Sequence, residues 1–248
     1  MSTLLFLHDA DVLPGTIGAL GLLADDLHVA VPRHPGFGTP LDDTAQDWDS
    51  VADLAQHYLS DPVTDPPHGP LHLAGAGFGG WIALEMAVRA PHLFTTLTLV
   101  SPYGVKLSGP TEPDFADILL LDPTEIVELG WAEPTACHDL RMPGYPPGLT
   151  DDDYERAFAD RAALSRYAWK PFLHDPRLRR WLHLITMPTL VIAGTHDRLV
   201  PPRHSAALAD LLPSARFVEL PHAGHYPYLE RPHAFHREVR SFLIGEAQ

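Results

Sequence analysis

Three short stretches hold the residue types that acid–base or nucleophilic chemistry requires. They are Gly75-Ala-Gly-Phe-Gly-Gly80, Gly194-Thr-His-Asp197 and Pro221-His-Ala-Gly-His225. A histidine titrates near neutral pH, so an imidazole oriented by a carboxylate can take up and return protons. His8 and Asp9 close the first apolar run and add a second imidazole and carboxylate. Ser101 ends a later apolar run, but no glycine turn surrounds it, so it reads as a strand-end polar residue. The glycine run fits G-x-G-x-x-G by letters, yet no acidic residue follows about 20 positions on at a strand end, as a dinucleotide site requires. His222 and His225, and His233 and His236, are spaced three apart. No carboxylate cluster at ligand spacing accompanies them, so no metal and no cofactor are expected.

These residues need elements to position them. Thr3–Leu7, His28–Val31, Leu71–Ala74, Leu97–Val100, Thr189–Ala193 and Arg216–Leu220 read as strands, being short apolar runs bounded by turn residues. Between them, Ile17–Leu27, Asp47–Leu59, Trp81–Ala90 and Pro232–Leu243 carry apolar residues at helical spacing. Alternating strands and helices predict an α/β fold with a mainly parallel sheet of about six strands. The three motif loops follow strands and should converge on one sheet edge, where ligands bind in such folds. Residues 104–183 break the rhythm, with helices expected over Asp117–Leu129 and Asp151–Trp169 and Thr150 as an N-cap. They read as a helical cap or lid inserted into a core formed by residues 1–103 and 184–248.

Together the loops resemble the α/β-hydrolase family, and the resemblance extends to Pro35-Gly-Phe-Gly38 and Met187-Pro-Thr-Leu190. In that family a strand-to-helix turn G-x-S-x-G presents a serine nucleophile. A later Asp orients a His that takes the serine proton. The resemblance implies that Asp197 and His225 form this pair. It implies that the backbone N–H groups of Ala10 and Phe78 form the oxyanion hole. Trp81 and Phe78 flank the turn and are expected beside the substrate.

Two departures stand out. Gly77 occupies the nucleophile position and has no side chain, natural or introduced. Loss of such a serine costs about 10⁶ in kcat. The family's His-Gly pair after the first strand is here His8-Asp9. His8 reads as a structural hydrogen-bonding residue beneath the oxyanion loop. Asp9 would oppose an oxyanion if it pointed inward; it has the chemistry of a nucleophile or base, in a loop where family nucleophiles do not sit.

The 248 residues suit one sizeable domain with a full core. A single cysteine, Cys137, excludes a disulfide framework. A net charge of −15 with no basic run argues against nucleic acid and anionic membrane as partners. No apolar stretch is long enough to span a bilayer, and the first strand lacks a basic leader, so a cytoplasmic location is expected. Aromatic residues of the cap, Phe115, Trp131, Tyr145, Tyr154, Phe158, Tyr167, Trp169 and Phe172, would line an apolar pocket. The expected partner is a small, largely apolar carbonyl-type substrate, with homodimerisation left open. The residues favour His225–Asp197 acid–base chemistry without a nucleophile, of the lyase, decarboxylase, cyclase or oxygenase-like kind. The alternatives are an ester or C–C bond hydrolase whose serine is replaced by Gly77, and a non-catalytic ligand-binding protein.

Overall fold

The computed structural model describes residues 2–10, 15–23, 27–38, 48–61, 69–135 and 150–244. Six strands form one sheet: β1 (Ser2–Leu7), β2 (Leu27–Ala30), β3 (Leu71–Ala76), β4 (Thr96–Val100), β5 (Thr189–Gly194) and β6 (Ala215–Leu220). Their order is β2-β1-β3-β4-β5-β6, and every pairing is parallel. Parallel strands need crossovers, and helices supply them on both faces. Alternate residues therefore bury on opposite sides. Leu5, Leu7, Leu73 and Val191 pack into one core layer, and Leu4, Phe6, Ala74 and Ile192 into the other.

The helices are α1 (Gly15–Leu20), α2 (Val51–Leu59), α3 (Gly77–Arg89), α4 (Pro123–Gly130), α5 (Asp151–Ala168), α6 (Pro202–Ala209), α7 (Pro227–Glu230) and α8 (Pro232–Ile244). α2 begins at a capping box: the Ser50 hydroxyl accepts the Asp53 N–H, and the Asp53 carboxylate accepts the Ser50 N–H. α3 begins at Gly77, four residues earlier than its apolar run at Trp81 suggests, because the glycine turn leads straight into it. Asp117–Leu129 is not one helix. Turns occupy its first residues, and α4 starts at Pro123 behind an Asp122–Glu125 capping box. Proline supplies no N–H and fits the first helical turn, which fixes the start there. The helix expected over Ile17–Leu27 ends at Leu20 and passes into a 3₁₀ turn, Gly21–Leu23, before β2. α6 and α7 were not foreseen; both open on a proline that reads as loop.

The sequential order reverses between β1 and β3, and it is at such a reversal, at the sheet's C-terminal edge, that ligands bind in folds of this kind. Asp9 follows β1 and Gly77 follows β3. β5 leads to Asp197 and β6 to His225. Gly79 lets the two central loops meet: a Cβ there would lie 2.2 Å from the Leu7 carbonyl oxygen and 2.3 Å from that of His8.

Candidate active site

Asp9 points inward. Its Oδ1 accepts the backbone N–H groups of Ala10, at 2.7 Å, and of Phe78, at 2.8 Å. Its Oδ2 lies 3.0 Å from His225 Nε2. His225 Nδ1 is 2.8 Å from Asp197 Oδ2. Asp197 Oδ1 in turn accepts the N–H groups of Leu199 and Val200, both at 2.9 Å. The result is a buried line, carboxylate–imidazole–carboxylate, assembled from three loops. Asp9 and Asp197 are 3% exposed and His225 is 1% exposed, so little water competes for these bonds.

Gly77 has φ +49°, the left-handed conformation of a sharp strand-to-helix turn. A Cβ built on it would fall 2.0 Å from Asp9 Oδ1 and 2.2 Å from Asp9 Cγ. The space a side chain at position 77 would use is therefore filled by the Asp9 carboxylate. The two N–H groups expected to face a substrate oxyanion face Asp9 instead.

Two carboxylates flank His225. Burial works against a charged imidazole, but attraction to Asp197, its hydrogen bond and the contacts with Asp9 outweigh it, pushing the His225 pKa up to about 10. Both ring nitrogens then donate. The loop carrying His225 is pinned as well: its N–H donates to the Gly130 carbonyl at 2.6 Å. The Glu230 carboxylate accepts the N–H groups of Gly224 and Ala132 and ties this loop to the end of α4.

His8 sits beneath the site rather than in it. The His34 N–H donates to His8 Nε2 at 3.0 Å, which leaves the His8 proton on Nδ1, donated to the Asp9 carbonyl. His34 Nε2 donates to the His8 carbonyl at 2.8 Å, so His34 Nδ1 accepts the Tyr58 hydroxyl at 2.7 Å. Burial pushes the His8 pKa down to about 4 and holds His34 well below the usual range, so both rings stay neutral. This network fixes the backbone on either side of Asp9. Helical spacing puts Tyr58 on the apolar face of its helix with Val51, Leu54 and Ala55, where it is buried, but nothing in the sequence pattern singles out His34 or joins the two. Tyr58→Phe keeps the ring but strands a buried acceptor on His34, a loss of about 1–3 kcal/mol. Urea unfolding of the two proteins measures it, and equal midpoints would show that the hydroxyl carries no such weight.

A cavity of about 520 Å³ opens above Asp9, which lines it together with Ala10. Ile118 and Ile126 come from around α4, and Leu164 from α5; Leu199, Tyr103 and Tyr226 complete its apolar side. Glu155, Asp160 and Arg161 of α5 also line it, and no motif marked them in advance. The Arg161 guanidinium is engaged by the carbonyls of Ile118 and Leu121. Of the aromatic residues expected at a pocket, Phe158 lines this cavity. Phe115 and Phe172 border a separate depression, and Tyr145 lies outside the described residues. Trp81, expected beside the substrate, lies outside this lining: it packs on Phe78 and donates from Nε1 to Glu85 at 3.3 Å. Phe78 contributes its N–H, while its ring is buried against Phe37 and Tyr167. Ser101 is fully buried and does not line the cavity.

A parallel six-stranded sheet with a glycine elbow, a later Asp and a final His defines a class. The chain belongs to the α/β hydrolase family, whose model matches residues 4–238. It is 39% identical over 235 residues to pyrrolizixenacetamide deacetylase of Xenorhabdus hominickii, covering 90% of this chain and 83% of the relative. It is 29% identical over 245 residues to the polyketide synthase ThaQ of Burkholderia thailandensis; the match covers 94% of this chain but spans only 12% of that synthase. Among solved structures, a bacterial membrane phospholipase A superposes with a TM-score of 0.77 at 23% identity, covering 98% of this chain and 79% of that one. No helix among the described residues is long and apolar enough to cross a membrane.

Proposed function

We propose that the chain is a hydrolase of a small, largely apolar substrate, with His225 and Asp197 as its proton-moving pair and Gly77 at the vacated serine position. The observation that carries this reading is the buried 2.8 Å His225–Asp197 contact, on the loops where the family places such a pair, joined to the cavity through Asp9, which lines it. The deacetylase relative supports hydrolysis over lyase, decarboxylase or oxygenase-like chemistry. So does the setting of His225: the two flanking carboxylates favour its charged form, which is poorly suited to abstracting a proton from carbon. A protonated His225 is suited to donate first and accept afterwards. Residues 104–183 act as the cap, since α4, α5 and their flanks supply much of the cavity wall.

The reading is tested with a panel of small apolar esters, amides and epoxides, products being identified by chromatography. At least one should be turned over with addition of water. His225→Gln, which can donate to one of the two carboxylates but cannot carry the charge, should lower kcat by about 10³-fold or more. Turnover that ignores this substitution, or that yields elimination or decarboxylation products, would overturn it.

A further inference from the structure

Among the described residues of the cavity wall, one cation has no task in the reading above. α5 lines the cavity with Glu155, Phe158, Asp160, Arg161 and Leu164. Spacings of three and four residues put these side chains on one side of the helix. Burial orders them by depth. Leu164 is buried beside Leu199 and Ile118, which line the same end, whereas Phe158 is 77% exposed. The cavity therefore runs along α5 from a buried apolar end to a mouth at Phe158, and Arg161 stands half-buried between them.

Only part of that guanidinium is engaged. Nη2 donates to the Ile118 carbonyl at 2.8 Å and to the Leu121 carbonyl. Nε and Nη1 have no hydrogen-bond partner among the described residues, and neither is sealed away from open space. Their direction is fixed all the same. A guanidinium is planar, so two carbonyls on one nitrogen orient the others. α5 is fastened as well: Asp160 accepts the Gly38 N–H at 2.5 Å, and the Tyr167 hydroxyl donates to the Pro35 carbonyl at 3.1 Å. A few oriented polar groups in a mostly apolar cavity are what fix a ligand in such sites.

We propose that Arg161 sets the substrate class: its Nε and Nη1 take a neutral carbonyl oxygen, of an amide, ester or ketone, separate from the bond that is cleaved beside His225. The proposal rests on the hydrolase reading above and adds the group that is recognised. Neutrality follows from the wall. A carboxylate would gain Arg161 but meet Glu155, Asp160 and Asp9 in the same lining, in a chain of net charge −15. A cation would gain those carboxylates but meet a guanidinium that two carbonyls hold in place. A carbonyl oxygen accepts from Arg161 and brings no charge for the carboxylates to repel. An amide adds an N–H, for which Glu155 and Asp160 are acceptors on the same wall. An apolar group beyond the carbonyl would cover the Phe158 ring and remove its surface from water.

Four ligands of similar size test this by calorimetry: N-benzylacetamide, its hydrocarbon counterpart isopentylbenzene, the anion hydrocinnamate and the cation phenylbutylamine. The unmodified protein should bind N-benzylacetamide about tenfold or more tightly than either ion. Arg161→Met keeps the length of the side chain without its donors. It should weaken N-benzylacetamide about tenfold or more, as loss of a hydrogen bond to a charged donor requires. Isopentylbenzene should stay within about twofold, the usual scatter for independent sites. Arg161→Lys, whose ammonium can serve the backbone carbonyls or the ligand but not both in the same way, should fall between. Tighter binding of either ion by the unmodified protein would overturn the proposal. So would equal weakening of amide and hydrocarbon by Arg161→Met, which would make Arg161 a clamp on residues 118–121 alone. The ion comparison needs no variant, so it decides even where a variant misfolds. Hydrolysis is scored apart. If the substrate panel is hydrolysed in a His225-dependent way but amide and hydrocarbon respond alike, the hydrolase reading stands and this proposal falls. If nothing is hydrolysed but the amide binds through Arg161, the hydrolase reading falls and the recognition by Arg161 stands without it.

Discussion

Replacing Asp9 by Gly and Gly77 by Ser together should create an esterase that neither single change creates. Gly77→Ser alone puts a Cβ 2.0 Å from a carboxylate oxygen that is itself pinned by two backbone N–H groups. The new hydroxyl would also find its oxyanion donors occupied. The left-handed φ of +49° adds about 1–3 kcal/mol of strain for any residue with a Cβ. Asp9→Gly alone frees the donors but supplies nothing to attack with. In the double variant the serine inherits the vacated space, Ala10 and Phe78 regain an oxyanion to stabilise, and His225 loses one of the two carboxylates that hold it charged. Its role can then change from imidazolium to base. Hydrolysis of para-nitrophenyl butyrate should rise on the order of 10³-fold above either single variant. Such a gap is a coupling between two residues in contact, as expected where one side chain fills the other's place. If Gly77→Ser alone matched the double variant, Asp9 would not be the obstacle.

Much of this site can be read from residue types and spacing. Asp197 and His225 end apolar runs and sit in loops with recognisable neighbours, so their meeting follows from the order of strands in a parallel sheet. Gly77 is equally plain, because its flanking glycines persist around a missing side chain. Asp9 is different. Whether it points inward depends on volume released 68 positions later, and its bond to the Phe78 N–H joins residues 69 apart. Two departures from the resembled motifs that look separate along the chain, aspartate at 9 and glycine at 77, lie against each other in space. Pattern reading weighs positions singly and does not see an exchange of volume. The His8–His34–Tyr58 network is hidden for a similar reason: His34 stands between prolines and glycines in a segment that carries no periodicity.

His225→Ala should cost more stability than any other change at this site. The imidazole is the cation between two carboxylates, each 3% exposed. Truncation leaves both charges facing a void. Breaking a buried ion pair from one side costs about 3–5 kcal/mol, because the remaining charge stays buried without a partner. Asp197 keeps the Leu199 and Val200 N–H groups and Asp9 keeps those of Ala10 and Phe78, so the loss should fall inside that range. The pH profile distinguishes this loss from a simple cavity. In the folded protein the His225 pKa stands at about 10, above its ordinary value of 6.5. The folded state therefore binds the proton more tightly, and stability from this group is complete below about pH 6.5. It drains away as pH rises toward 10. Melting temperatures measured across that window should fall steadily for the unmodified protein. His225→Ala, already destabilised at neutral pH, should lack that part of the fall, so the two curves converge on the alkaline side. Parallel curves would mean that His225 is neutral in the folded state, and that the line from Asp9 to Asp197 is held by hydrogen bonds alone.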